Sequence, residues 1–286
     1  MNDHKSSDIH RRISAARTIL ISICMALILC LAVPADTFAL SARPGYIAHR
    51  GLSAKAPENT LAAFELAAQS GKFYGIEFDI WEASSEPDEP PLLLVMHNRK
   101  TGHMCGDNVD IRTITRDTLD NFTITNGKGI GKYPGQKIPT AEQALDTIYK
   151  YPGGALPVVE LKHRLSPRAL EYLLTYIGDR PAVVISFEFN AVADTARLAA
   201  GMGKSNISTM YLREKLSKSK YSSVIRKMKK AGVGCLSIKY TQLKKNTVKK
   251  FHRAGLKVCV WTVPSKKAAK KLKKKKVDYI TANKYL

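Results

Sequence analysis

The chain has 286 residues, with 46 Lys and Arg against 24 Asp and Glu, and a formal net charge of +22. Its 44% hydrophobic content is enough for a packed core and excludes wholesale disorder. The charge excludes a uniformly cationic protein: residues 1–39 carry 4 basic and 3 acidic side chains, residues 40–203 carry 17 and 19, and residues 204–286 carry 25 and 2.

The first element is an address. A polar stretch ending in His10, Arg11, Arg12 and Arg17 precedes an apolar run of 16 residues, 18–33, followed by PADTFALSA. This is the layout of an export signal, with cleavage expected after Ala39. An uncleaved anchor is the alternative, but a spanning helix wants about 20 apolar residues and this run is shorter. Either way the rest is expected to work outside the cytoplasm, secreted or anchored on the outer face. Residues 40–286 then form one domain of 247 residues, close to the roughly 250 of a (β/α)8 barrel. Cys105, Cys235 and Cys259 lie in it. An odd count argues against a disulfide framework, and Cys235 and Cys259 read as small buried hydrophobes.

From residue 45, short β-rich runs alternate with helical ones. Strands are predicted at 45–50, 75–80, 92–97, 156–162, 182–187, 207–212, 235–240, 257–263 and 278–282. Helices are predicted at 59–71, 166–178 and 190–203, with caps and stops where helices need them. The alternation points to a parallel sheet. Nine strands are one more than a barrel needs, and the pattern does not say which is surplus. Residues 98–138, rich in Gly, Asn, Asp and Thr, break the rhythm and read as an insertion. The acidic, Pro-rich SSEPDEPP at 84–91 reads as a lengthened turn.

Charged residues interrupt several strands at one end. Glu77 and Asp79 are two apart and so share one side of their strand, leaving Phe78 and Ile80 toward the outer helices. Glu160 and Lys162 repeat the spacing, His49 ends the first strand and His97 the third. Strand C-terminal ends converge on one mouth of a parallel barrel. Three carboxylates, two imidazoles and a lysine would then meet. Buried without partners, such charges cost several kcal/mol each. A hard divalent cation, Ca²⁺ or Mg²⁺, would resolve this with Glu77, Asp79 and Glu160 as oxygen ligands. His49 and His97 could move protons. The set suits cleavage of a phosphodiester.

These residues resemble the motifs of the glycerophosphodiester phosphodiesterases. His49-Arg50-Gly51 followed by Pro57-Glu58-Asn59-Thr60 matches the family's opening motif, and Glu77 and Asp79 match its E-x-D. His97, Pro139-Thr140, Glu160-Leu161-Lys162, Ser186-Phe187, Trp261-Thr262-Val263 and Ile280-Thr281 match later markers, so the likeness runs over 46–283. It implies a TIM-like (β/α)8 barrel with a small insertion after the third strand. It implies metal-dependent hydrolysis of glycerophosphodiesters to glycerol 3-phosphate and an alcohol. By the same resemblance Glu77, Asp79 and Glu160 hold the metal, His49 and His97 do acid–base work, and Arg50 and Lys162 hold phosphoryl charge. Glu58 orients the site, and Trp261 packs against the glycerol or the leaving group. One departure stands out: the family has Asp directly after its second histidine, and this chain has Asn98.

The basic third, 204–286, is predicted to hold amphipathic outer helices, with Met228, Phe251 and Leu272 inward and lysines on the wet face. An anionic partner, a membrane or a wall polymer, is one reading of those lysines, and a solvated surface is the other. The lack of interleaved aromatics argues against nucleic acid. Two other functions fit the sequence: the same chemistry on a lysophospholipid or a glycerol-phosphate wall polymer, or a non-catalytic cationic surface-binding protein.

Overall fold

The parallel pairing expected from the alternation closes on itself. The computed structural model describes residues 44–151 and 154–286; the export signal expected at 1–39 lies outside them. Strands β1 (Gly45–Ala48), β2 (Gly75–Glu82), β4 (Leu156–Leu161), β5 (Ala182–Ser186), β6 (Ile207–Arg213), β7 (Cys235–Lys239), β8 (Lys257–Trp261) and β9 (Tyr279–Ala282) pair in parallel. Because β1 pairs with both β2 and β9, the sheet is a closed barrel with no free parallel edge. Among the described residues no helix is long and apolar enough to cross a membrane.

The surplus strand is β3 (Leu93–Val95). It pairs antiparallel with β2, with Val95 opposite Ile80 and Leu93 opposite Glu82. The sequence counted it as the third strand, with His97 at its mouth-side end; it is not a barrel stave. The 84–91 segment is the loop of this β2–β3 hairpin, closed by Ala83 N–H donating to Leu92 C=O at 2.8 Å. The chain then runs through short helices at Gly102–Cys105 and Arg116–Leu119 before rejoining the barrel. This excursion has its own apolar cluster, in which Met96, Met104, Ile111, Ile114, Ile124 and Ile138 are buried. Its composition concealed that core, because the six apolar residues are spread among polar ones with no helical or strand period.

The helices between strands form where caps and apolar stripes coincide. Thr60 caps helix Leu61–Gln69 by accepting from Ala63 N–H. Thr140 and Gln143 form a reciprocal capping box on Ala141–Tyr149. Ser166 and Pro167 open Pro167–Ile177, which ends at Gly178 with φ 65°. In the basic third, Tyr221–Lys230, Thr247–His252 and Lys266–Lys274 turn Met228, Phe251 and Leu272 inward, as their spacing predicts. The main core is the layer between barrel and helices; Phe64 of Leu61–Gln69 meets Phe78 of β2 there at 5.6 Å between ring centroids. Cys105, Cys235 and Cys259 are free thiols and buried.

Candidate active site

Alternation along β2 decides the site. Phe78 and Ile80 point to the outer layer, so Glu77 and Asp79 point into the barrel. Glu160 of β4 is level with Asp79 in the parallel register. All three carboxylates are buried, and each offers an oxygen within 4.8 Å of the others.

Protein cations answer only part of this charge. Lys162 Nζ donates to Glu160 Oε1 at 2.8 Å and to Asp79 Oδ1 at 3.2 Å. Arg50 donates through its guanidinium to both oxygens of Glu58, at 2.8 and 3.0 Å, and its Nε lies 3.6 Å from Asp79 Oδ2. Asn59, held at φ 57°, donates its side-chain amide to Asp79 Oδ2 at 2.8 Å and accepts from Asp79 N–H. Glu77 Oε2 accepts from Arg50 N–H at 2.7 Å, but Glu77 Oε1 is buried with no hydrogen-bond partner.

The electrostatics follow. Burial, with Asp79 and Glu160 alongside, pushes Glu77 well above the usual carboxylate range. Burial and Asp79 push Glu160 up to about 7. Asp79 ends below its ordinary value, because Lys162, His97 and Arg50 outweigh its burial. Four carboxylates (Glu58, Glu77, Asp79, Glu160) face two fixed cations, a deficit equal to the charge of one divalent ion. The unpartnered Glu77 oxygen and the all-oxygen donor set fit a hard divalent cation.

His49 follows β1 and His97 follows β3, and both line one pocket of about 220 Å³ with Arg50, Glu77, Glu160 and Trp261. His97 reaches it by a route the sequence did not predict. Because β3 runs antiparallel to β2, the chain leaving it passes back beside Asp79, whose C=O accepts from Met96 N–H at 3.0 Å. Each imidazole is held from behind by an amide: His49 Nδ1 donates to Asn283 Oδ1 and His97 Nδ1 to Asn98 Oδ1, both at 2.8 Å. An amide oxygen only accepts, so each Nδ1 carries the proton and Nε2 is left as the free ring nitrogen. Burial, then the neighbouring Arg50, lowers His49 to about 4. Burial also lowers His97, with Lys162 and Arg50 adding and Asp79 opposing.

The nine residues expected from the sequence therefore meet at one mouth. Asp79 and Lys162 lie immediately behind the pocket, bonded to one another, and Glu58 reaches it through Arg50. Three residues were missed as site residues. Asn59 stands in the sequence only as part of the Pro57-Glu58-Asn59-Thr60 motif. Asn283 sits one residue beyond β9, at the same mouth, where the barrel rule could have found it. Phe187, 42% exposed, meets the edge of Trp261 at 5.3 Å and completes an aromatic corner of the pocket. The sequence marks Phe187 only as part of the Ser186-Phe187 motif, with no role in the site.

Known proteins share the family and the fold. Residues 49–285 match the glycerophosphoryl diester phosphodiesterase family. YhdW of Bacillus subtilis, which bears the name of a glycerophosphodiester phosphodiesterase, is 26% identical over 245 residues, covering 83% of this chain and 93% of YhdW. The fold is similar to that of an Oleispira antarctica phosphodiesterase solved with the product sn-glycerol-3-phosphate (TM-score 0.71, 22% identity, 84% of this chain and 93% of that one). It is also similar to a glycerophosphodiester phosphodiesterase from Parabacteroides distasonis (TM-score 0.65, 25% identity, 84% and 93%). With a match that starts at His49 and takes in every residue of the site, the chain belongs to the glycerophosphoryl diester phosphodiesterase family and is a phosphoric diester hydrolase.

Proposed function

We propose that this protein hydrolyses glycerophosphodiesters to glycerol 3-phosphate and an alcohol with the help of a divalent cation, Ca²⁺ or Mg²⁺, held by Glu77, Asp79 and Glu160. The observation that carries the reading is the buried carboxylate triad with one unpartnered oxygen, set beside two amide-held histidines in one pocket. When bound, the cation would polarise phosphoryl oxygen.

The chain's own groups supply the rest. Arg50 lines the pocket and Lys162 lies immediately behind it, so both present fixed positive charge toward the place of the phosphoryl group, and Glu58 holds the Arg50 guanidinium in position. His49 and His97 exchange protons through Nε2, one as base and one as acid, while Asn283 and Asn98 fix the tautomers. Burial keeps the His49 imidazole unprotonated at neutral pH, the form in which Nε2 can accept a proton. Trp261 and Phe187 offer apolar surface to the glycerol or the leaving alcohol.

We place the reaction outside the cytoplasm, on the strength of the 18–33 apolar run and its basic forerunner. The basic helices of 204–286 would face an anionic membrane or a wall polymer. The exported address and this cationic flank support a second reading, the same chemistry on a lysophospholipid or a glycerol-phosphate polymer. A complete buried triad weighs against a purely non-catalytic surface protein, since uncompensated buried carboxylates are costly to keep. Release of glycerol 3-phosphate from glycerophosphocholine should stop with chelator, with Glu77→Ala and with His49→Ala. Full turnover in either variant would overturn the site assignment.

A further inference from the structure

A concavity of about 880 Å³ lies between helices Tyr221–Lys230 and Thr247–His252, and it shares no lining residue with the catalytic pocket. One wall carries Lys218, Arg226 and Lys229; the other carries Lys245, Lys249 and Arg253. All six are exposed, and Lys250 reaches across to Ser222 Oγ at 3.3 Å. From Lys215 to Val277 the chain has 22 Lys and Arg and no Asp or Glu. Accordingly, among the described residues no cation of this furrow is ion-paired to a carboxylate. Elsewhere on the surface cations are paired, as in Arg164–Asp194 and Arg99–Asp110.

We infer that this furrow binds a linear phosphate-bearing polyanion. The inference narrows the cationic-flank reading above to one groove and one class of partner. Shape decides between a polymer and a membrane. A bilayer surface is flat and would touch only the rims, whereas a chain of anions can lie between the walls. Lys249, in helix Thr247–His252, and Arg253, its C-cap, stand four residues apart and so present charge roughly 5–6 Å apart along one helix face, and Lys245 stands just before that helix. Like charges unpaired along both walls of one concavity add their fields within it. Base stacking has no platform, because Tyr221 in the floor is only 3% exposed. The furrow also leads somewhere useful. In a (β/α)8 unit the helix runs back from the strand's mouth end, so Lys218 and Lys245 mark the upper end of the groove. Glu214, four residues before Lys218, lines the catalytic pocket. A chain held in the furrow is therefore directed toward the catalytic rim.

The test is binding of inorganic polyphosphate to the full-length protein across a salt series. The slope of log K against log salt should be negative, and the double variant Arg226→Gln/Lys249→Gln should weaken binding roughly tenfold and reduce the slope by about 1.4. The double variant Lys270→Gln/Lys274→Gln removes the same charge from exposed positions outside the furrow and should leave both nearly unchanged. Equal loss in the two double variants, or no polyphosphate binding, would overturn the inference. So would binding to phosphatidylglycerol vesicles that is tighter than binding to polyphosphate and is lost in the furrow variant, because the surface would then serve a membrane. Turnover of glycerophosphocholine is measured separately on the unaltered chain. Polyphosphate binding without turnover would sink the proposed glycerophosphodiester substrate and leave the furrow standing, and turnover without polyphosphate binding would sink the furrow alone.

Discussion

Glu77→Gln should make the cation-free protein more stable and the cation-loaded protein less so. Glu77 is buried beside two other carboxylates, with oxygens within 4.8 Å of one another. At that distance and an effective dielectric of 20, each like-charge pair costs about 3 kcal/mol. Glu77 can escape part of this by holding a proton, as its raised affinity indicates. A carboxyl of ordinary value 4.5 that must be protonated at pH 7 costs the fold about 3 kcal/mol, which bounds the gain. Glutamine keeps the one bond Glu77 makes, the acceptor for Arg50 N–H at 2.7 Å, and brings no charge. In chelator at pH 7 the variant should therefore gain up to about 3 kcal/mol, a rise in Tm of roughly 6–12 °C for a domain of this size. With Ca²⁺ or Mg²⁺ at about 100 times its Kd, the wild type should gain about 2.7 kcal/mol, while the variant should gain nothing. Differential scanning fluorimetry with and without cation reads both effects. A chelated variant less stable than chelated wild type, or one that keeps the full cation shift, would refute the reasoning.

Three more expectations can be checked. His49 should make stability pH-dependent: the unfolded imidazole takes its proton near pH 6.5 and the folded one only near about 4, so its contribution is complete above 6.5 and is lost as pH falls toward 4. Tm measured over that window should fall less steeply in His49→Gln, and an unchanged slope would count against the burial argument. Asn98→Asp places a negative charge 2.8 Å from His97 Nδ1 and should move the His97 limb of the pH–rate profile up by about one unit, with the profile otherwise intact; a stationary limb would mean His97 is not the titrating group. Gly51→Ala should lower the urea midpoint, because Gly51 sits at φ +76° and a Cβ there would lie 2.7 Å from the Ala63 backbone carbon. A loss of about 1–3 kcal/mol is expected, and an unchanged midpoint would show that the turn can relax.

Much of this was legible because barrel chemistry obeys the strand period. Glu77 and Asp79 share a face for the same reason that Phe78 does not, and Glu160 joins them through parallel register. The outer helices were readable from the three-to-four spacing of residues such as Phe251 and Leu272. Pairing direction was not legible: nothing in LLLVMH says that it lies antiparallel against Ile80–Glu82. Nor were the amides at Asn98 and Asn283 readable as a pair, since one lies beside its histidine in the chain and the other 234 residues from it. The missing Asp after His97 nonetheless has a physical answer. Orientation of a ring nitrogen needs an acceptor, and the Asn98 amide oxygen is one.

The bond between His49 and Asn283 joins residues 234 apart, near the first and last of the described barrel strands. It exists only once β9 has docked against β1 and the barrel has closed. A partly made chain can already carry the carboxylates of β2 and β4, but its first imidazole is still free to turn. The same strand that leaves the sheet without a free parallel edge also fixes the ring at its mouth, so loosening the β1–β9 seam would release His49 even with every catalytic side chain present.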